Sequence, residues 1–206
     1  MQSPLLLGWR FDAPPDQLHT PSHDFPRGRL SEINGPRSSG RTTLLHSVLA
    51  ASTSQGECTA LIDTCDAFDP CSADAAGVKL EKLLWVRCKS NGEHALRAAD
   101  LLIHAGGFGV LALDLIEARA SDLARIPATA WFRFRRAIEP SPTVLLVLAD
   151  RPLTKSCAAK RVMLERRKPV FTGRHPFQLL RKAVSSETQA GLMGSMDGRS
   201  PAAAVR

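Results

Sequence analysis

The sequence has no apolar run near the roughly 20 residues that a membrane-spanning helix needs. Residues 1–15 include a short apolar run, but no basic segment and no small-residue cleavage site, so we predict no secretion signal. There is no CxxC pair, and the odd number and irregular spacing of the cysteines argue against a disulfide framework or zinc site. We therefore predict a cytoplasmic protein with reduced, mostly packing cysteines at Cys58, Cys65, Cys71, Cys88 and Cys157.

Acidic residues are scarce only in the last quarter of the chain. Residues 1–150 hold 15 Lys and Arg against 17 Asp and Glu, whereas residues 151–206 hold 12 against 3. Such asymmetry is typical of a segment that contacts a polyanion or an acidic partner. The alternative is a tail that its charge merely keeps soluble.

The pattern of apolar segments predicts an α/β fold. Strand candidates lie at 29–34, 58–63, 83–88, 109–115 and 143–150. The run at 58–63 is continuous and apolar, as are the two clearest, 109–115 and 143–150, which is typical of strands that are buried on both faces. Helical patterns at 42–52, 93–104 and 121–138 alternate with them, which predicts a central, mostly parallel sheet flanked by helices. We predict an irregular, proline-rich arm over 1–27, a core over 28–184, and a basic, low-complexity, disordered tail over 185–206.

A phosphate-binding loop is predicted between the first strand and the first helix. The loop fits GxxxxGK[ST] at every fixed position except the lysine, which is arginine here. In this motif the glycines let backbone N–H groups surround a phosphate at a helix N-terminus. The predicted nucleotide-binding residues are Gly35, Pro36, Arg37, Ser38, Ser39, Gly40, Arg41, Thr42 and Thr43. Thr42 and Asp114, at the end of a buried strand, are the predicted Mg²⁺ ligands for bound ATP.

In order and approximate spacing, residues 28–115 resemble the RecA recombinases of bacteria. The resemblance rests on GRLSEINGPRSSGRTTLLHSVLAA, TALIDTCDAFDP, AGVKLEKLLWVRCKSNGEHALRAADLL and GVLALDL. The family loop reads GPESSGKTTL, so the Pro-x-Ser-Ser-Gly core is retained. The resemblance implies a RecA-like P-loop fold that binds ATP and Mg²⁺ and a role in DNA repair.

Several family features are altered in this sequence. The family's IDxEHALDP carries the glutamate that activates the attacking water, whereas here Cys65 stands at that position with Asp66 beside it. Asp66 is the only candidate base that we identify, and its side chain is shorter and one position later. Arg41 replaces a lysine that it cannot simply imitate, because a guanidinium is wider and forked. Because Arg41 and Cys65 alter the site, we predict little or no ATPase activity. The family's docking helix and first DNA-binding loop have no counterpart here, so we also predict that the chain builds no active filament alone.

Shorter RecA-like proteins of the ImuA type resemble this chain more closely. That resemblance implies an accessory role in SOS mutagenesis and translesion synthesis, through contacts with RecA and polymerase components. Two alternatives stay open: an active DNA-dependent ATPase of the RecA type, and a binding protein similar to a cell-division inhibitor, which needs no nucleotide.

Two basic segments are candidates for contact with single-stranded DNA or a protein partner. WFRFRRAIEP (131–140) places Arg133, Arg135 and Arg136 among aromatic residues, a combination that suits stacking and phosphate contact. The second segment contributes Lys160, Arg161, Arg166, Arg167 and Lys168. In both cases the alternative is a solvated face, with the aromatic side chains of the first segment packed on the sheet.

Overall fold

A computed structural model describes residues 16–166, and its centre is a six-stranded parallel sheet. The strands are β1 (Gln17–His19), β2 (Asp24–Pro26), β3 (Leu30–Asn34), β4 (Cys58–Asp63), β5 (Leu83–Arg87), β6 (Phe108–Asp114), β7 (Val144–Ala149) and β8 (Lys160–Met163). The helices are α1 (Arg41–Ser54), α2 (Pro70–Ala75), α3 (Gly92–Ala105), α4 (Ala120–Ala124) and α5 (Ala128–Ile138). The strand order of the large sheet is β5-β4-β6-β7-β3-β8, which confirms the predicted α/β class.

Both faces of the sheet are covered, which explains why its central strands are continuously apolar. Every residue of β7 is buried, and so are the five central residues of β6. On one face, Leu45 and Val48 of α1 pack against the sheet. On the other face, Ala99 of α3 pairs with Trp131 and Phe134 of α5 in a second apolar cluster. The sheet therefore lies between two apolar layers.

The parallel register brings the ends of four strands to one edge of the sheet. Asp63 at the end of β4 lies opposite Asp114 at the end of β6, and Asp114 lies opposite Leu148 of β7. On the other side of β7, Asn34 at the end of β3 lies opposite Ala149. In open sheets of this kind, ligands bind beyond the carboxyl ends of the strands. This edge is therefore where the predicted site residues can meet.

The structure corrects the prediction of an irregular arm for the part of 1–27 that it describes. β1 and β2 form an antiparallel hairpin whose central residues, Leu18 and Phe25, are completely buried. Both side chains belong to the same apolar cluster as α1. Strands of three residues are too short for a clear alternating pattern, which is why the sequence did not reveal them.

Two further differences concern the second half of the chain. The helix expected over 121–138 is divided into α4 and α5 by a break that ends at Pro127, because proline disfavours helical backbone in the residue before it. The basic segment at 160 begins as strand β8, which pairs with β3 at the edge of the sheet. The predicted end of the core at 184 and the tail over 185–206 lie outside the described residues.

Candidate phosphate-binding site

The loop between β3 and α1 has the backbone geometry that a phosphate cradle needs. A Cβ at Gly35 would lie 2.7 Å from Ser39 Oγ and would also collide with the Leu164 carbonyl oxygen, so only glycine fits there. Ser38 and Gly40 have positive φ values of 61° and 95°, and Gly40 caps α1. The loop thus turns sharply and presents the N-terminus of a 14-residue helix. That arrangement attracts anions through its free N–H groups and its dipole.

Three side chains around this loop are buried without full hydrogen bonding. Asn34 is 0% exposed, Ser39 1% and Arg41 5%. Among residues 16–166, Asn34 Oδ1 and Nδ2, Ser39 Oγ and Arg41 Nη1 have no hydrogen-bond partner. Buried polar atoms are almost always paired, because desolvation without a bond is costly. A cluster of such atoms around one loop is therefore expected where a polar ligand completes the bonding.

Arg41 is the first residue of α1, and its guanidinium lies among carboxylates. Burial lowers the pKa of Arg41, while the charges of Asp114, Asp150 and Glu117 raise it. The group stays protonated at any physiological pH, because an arginine pKa begins so high. Arg37, on the exposed side of the loop, forms an ion pair with Glu117. The predicted loop residues therefore place two arginine cations at the strand edge.

Asp114 lies at the edge where it was predicted, but its environment disfavours ionisation. Burial, with smaller effects from Asp63 and Glu117, raises the pKa of Asp114 to about 6, although Arg41 lowers it. Asp114 Oδ1 accepts a hydrogen bond from the Ile116 N–H at 2.9 Å. Thr42, the other predicted Mg²⁺ ligand, is exposed at the start of α1, as is Thr43. Asp114 is therefore easier to protonate than an ordinary aspartate, although it is mostly ionised at neutral pH.

The segment after β4 contains no free carboxylate at the position of the family's glutamate. Burial raises the pKa of the Cys65 thiol, which is therefore protonated at neutral pH. Asp66 is exposed and accepts hydrogen bonds from Arg87 Nε and Nη2, and this pairing lowers the pKa of Asp66. A carboxylate held by a guanidinium and made less basic is poorly suited to take a proton from water.

Asp63 is a structural residue of this edge that the sequence analysis did not single out. Its Oδ1 accepts hydrogen bonds from the N–H groups of Cys65 and Ala67, and its Oδ2 accepts from the Phe68 N–H and Trp85 Nε1. These four bonds fix the turn that directs Asp66 toward Arg87. An aspartate at a strand end, followed by a turn, is the only signal that could have identified it.

Glu32 was also missed, although it is a completely buried acid in the middle of β3. Its carboxylate accepts hydrogen bonds from Leu153 N, Thr154 N and Thr154 Oγ1, and forms an ion pair with Arg161 Nε at 2.9 Å. This network holds the connection between β7 and β8 against β3. A single acid inside an apolar strand was its signal in the sequence.

The two predicted contact segments differ in how free their basic groups are. In α5, Trp131 and Phe134 are buried, whereas Arg133, Arg135 and Arg136 are exposed, and Phe132 is 50% exposed. In β8, Arg161 is bonded to buried Glu32, and Lys160 Nζ donates to the Asp24 carbonyl oxygen. Arg166 is exposed, while Arg167 and Lys168 lie outside the described residues. In α5, Arg133 pairs with Asp100, so Arg135 and Arg136, which form no ion pair among residues 16–166, are the most available of the described groups.

Other predicted features can be located in the part of the chain that the structure describes. All five cysteines are free; Cys88 and Cys157 are buried, whereas Cys58 and Cys71 are exposed and Cys65 lies between. Packing is thus the role of two cysteines rather than most of them. Within 16–166 no group of three or more His, Cys, Asp and Glu residues could hold a metal ion. No helix in that range is long and apolar enough to span a membrane.

Comparisons with known proteins agree with this geometry. The family model described as the RecA N-terminal domain matches residues 19–124. Among curated proteins, Protein RecA of Methylococcus capsulatus is 44% identical over 94 residues, covering 46% of this chain and 27% of its own length. Protein RecA of Rhodospirillum rubrum is 48% identical over 95 residues, covering 46% and 25%. The chain therefore spans about a quarter of the length of these relatives.

A solved structure, described as the crystal structure of the RadB recombinase, shares the fold. It has a TM-score of 0.55 and 17% sequence identity, with 76% of this chain and 85% of that chain aligned. The parallel sheet and the glycine loop before α1 define a P-loop protein of the RecA-like class. Because the RecA N-terminal domain model covers half of the sequence, the chain belongs to the RecA family.

Proposed function

We propose that this chain is a RecA-like accessory protein of DNA repair that binds ATP as a ligand and hydrolyses it very slowly or not at all. The observation that carries the proposal is the state of the three groups on which hydrolysis would depend. Arg41 stands in place of the loop lysine, the Cys65 thiol is protonated, and Asp66 is paired with Arg87. Phosphoryl transfer is catalysed mainly by charges held near the phosphates and by an attacking water held in position. The change at position 41 affects the first, and the changes at positions 65 and 66 affect the second.

ATP fits the site through its phosphates. The unpartnered Ser39 hydroxyl and Arg41 Nη1, with the N–H groups at the start of α1, would hold phosphate oxygens. When bound, the nucleotide would supply the negative charge and the acceptor oxygens that these donors lack. In this role ATP stabilises one conformation of the loop, and no bond of the nucleotide needs to break.

The accessory role acts through a protein surface on α3 and α5. Leu101 is 72% exposed and Phe132 is 50% exposed, on two helices that pack together. Arg133 bridges the helices through its bond to Asp100 at 3.2 Å, and Arg135 and Arg136 lie exposed nearby on α5. Exposed apolar side chains with arginines are typical of protein contact sites. Single-stranded DNA is the alternative ligand that these arginines could bind.

We further propose that the partners are RecA and components of translesion synthesis, and that the process is SOS mutagenesis. This assignment follows the resemblance to the ImuA-type proteins. It implies that purified RecA binds the chain, and that reversing Arg133, Arg135 and Arg136 to Glu weakens that binding. Reversing the exposed Lys79 to Glu is the control, because its backbone N–H is bonded to Thr53 of α1, which packs on the face of the sheet opposite α5.

The direct test of the enzymatic part is ATP turnover with Mg²⁺, with and without single-stranded DNA. We expect no turnover above the protein-free rate for the wild type. A double variant, Arg41→Lys with Cys65→Glu, is expected to gain turnover, since it restores both altered groups. Asp66→Asn leaves the wild-type result unchanged.

Two other results would support the alternative functions. DNA-stimulated turnover by the wild type, lost in Asp66→Asn, would identify an active DNA-dependent ATPase and overturn the proposal. If the protein binds neither ATP nor RecA but still inhibits division when it is expressed in cells, the inhibitor-like function would be favoured.

A further inference from the structure

Arg41 occupies the acidic edge at which a P-loop protein ordinarily needs a metal ion. We infer that this loop binds the phosphate chain of a nucleotide without a divalent metal, with the Arg41 guanidinium as the permanent cation of the site. The inference rests on the proposed function, in which the nucleotide is a ligand. It adds the identity of the counter-ion that makes binding possible.

The first argument concerns the cation already present. Arg41 is 5% exposed, and the carboxylates of Asp114, Asp150 and Glu117 are close enough to raise the pKa of the guanidinium. A guanidinium keeps its charge at physiological pH and offers five donors, of which two can meet one phosphate. Arg41 Nη1 has no partner among the described residues, so at least one donor is available.

The second argument concerns the ligands that Mg²⁺ would require. Mg²⁺ demands near-octahedral oxygen ligation and loses its water reluctantly, so a site must offer a well-charged carboxylate. Asp114 Oδ1 already accepts a hydrogen bond from the Ile116 N–H at 2.9 Å, and the guanidinium of Arg41, which is only 5% exposed, places its charge beside this carboxylate. A second cation there would be repelled by the first, because like charges interact strongly where water is excluded. The donor set therefore favours a phosphate over a metal ion.

The third argument concerns the class of ligand. Ser39 Oγ, buried and unpartnered, faces Gly35 across the loop, 2.7 Å from where a Cβ would stand. Hydroxyl, guanidinium and helix N–H groups are all donors, so the ligand must be rich in acceptor oxygens. A phosphoanhydride chain meets that need in either a nucleoside triphosphate or inorganic triphosphate, and binding of each must be measured.

The experiment is calorimetric titration of the full chain with ATP, and separately with inorganic triphosphate, in excess Mg²⁺ and in excess EDTA. For the wild type we expect the Kd for ATP to change less than about threefold between the two conditions. Arg41→Lys is expected to bind at least about tenfold more weakly in EDTA than in Mg²⁺. Arg41→Ala is expected to lose binding in both. Asp114→Asn is expected to bind ATP in EDTA as tightly as the wild type or more tightly.

Arg29→Lys is the matched control, because Arg29 precedes β3 at the opposite end of the strand from the loop. We expect it to bind ATP like the wild type in both conditions. Circular dichroism of each variant shows whether the fold is retained. Equal binding of triphosphate and ATP would mean that the phosphate chain alone is recognised, whereas stronger binding of ATP would add the nucleoside.

If wild-type binding of ATP requires Mg²⁺, the inference is overturned while the proposed ligand role of ATP stands. If the folded wild type binds neither compound in either condition, both the inference and the ligand role fail. If Arg41→Lys binds equally well in Mg²⁺ and EDTA, the metal independence does not come from the guanidinium, and the inference is again overturned.

Discussion

The buried acid in the middle of β3 and the buried polar residues at the end of this strand and in the loop after it differ in their hydrogen bonding. Glu32 is completely buried, and its carboxylate accepts four contacts from the β7–β8 connection and Arg161. Only two residues later Asn34 is equally buried, yet its side-chain atoms have no partner among residues 16–166, and the same holds for Ser39 Oγ. The satisfied group stabilises the fold, whereas the unsatisfied groups cost stability and are available to a ligand.

Loss of the satisfied group is expected to have the largest effect. Glu32→Ala leaves Arg161 and the donors of residues 153 and 154 without their acceptor, so we expect the free energy of unfolding to fall by about 3 kcal/mol. Urea denaturation followed by circular dichroism measures this. A loss below about 1 kcal/mol would mean that water replaces the carboxylate easily, which would weaken the comparison.

Asp114→Asn is expected to stabilise the protein by up to about 3 kcal/mol at neutral pH, since a raised pKa means that ionisation is disfavoured in the fold. The folded pKa of about 6 lies above the ordinary value of 3.8, so the unfolded chain ionises first as the pH rises. The protonated Asp114 carboxyl therefore contributes its full stabilisation of the fold below pH 3.8. This contribution to the free energy of unfolding is lost as the pH rises from 3.8 through about 6.

Urea denaturation of both proteins across this pH range tests the prediction. The difference between Asp114→Asn and the wild type should be small at the acid end and greatest above pH 6. A difference that is constant with pH would contradict ionisation of Asp114 as its cause.

Ser39→Ala should sharpen the comparison at the loop itself. Removing an unpartnered buried hydroxyl is expected to leave the stability of the ligand-free protein unchanged or to raise it by up to about 1 kcal/mol. Because the hydroxyl is proposed to donate to phosphate, ATP binding should weaken by about tenfold. Thermal denaturation and calorimetric titration give the two numbers. A less stable protein with normal ATP binding would assign the hydroxyl a structural role.

The smallest effect is expected for an exposed ion pair. Arg29 and Glu139 are both nearly half exposed, so Glu139→Ala should change the free energy of unfolding by less than about 0.5 kcal/mol. Urea denaturation of Glu139→Ala and Glu32→Ala under the same conditions compares the two free energies of unfolding. Equal losses of unfolding free energy in Glu139→Ala and Glu32→Ala would show that burial does not make the Glu32 contacts stronger than an exposed ion pair.

The order of strands and helices in the core could be predicted from the sequence because buried parallel strands are continuous apolar runs. The strand at 58–63 was placed with its observed ends, and those around β6 and β7 within one residue. The hairpin at 17–26 and β8 were not identified as elements, because short edge strands carry too few apolar residues. Their pairing is decided by tertiary contacts, such as those of Leu18 and Phe25 with α1.

The candidate site was predicted in part. The loop at 35–43 follows from glycine spacing, and Asp114 from its place at the end of a buried strand. That Asp66 would pair with Arg87 could not be foreseen, since it depends on which strand lies beside β4. Nor does a motif reveal that three polar side chains at the loop are buried without partners, because burial depends on tertiary contacts, such as those of Leu164 with Gly35 and Asn34.

The central claim is that the unpartnered groups at the loop receive phosphate while the Glu32 network is purely structural. Hydrogen–deuterium exchange of the wild-type protein, with and without saturating ATP, tests it most directly. We predict that ATP protects the amides of residues 35–43 and leaves those of residues 153–159, which include the donors to Glu32, unchanged. Protection of neither segment, or equal protection of both, would contradict the account.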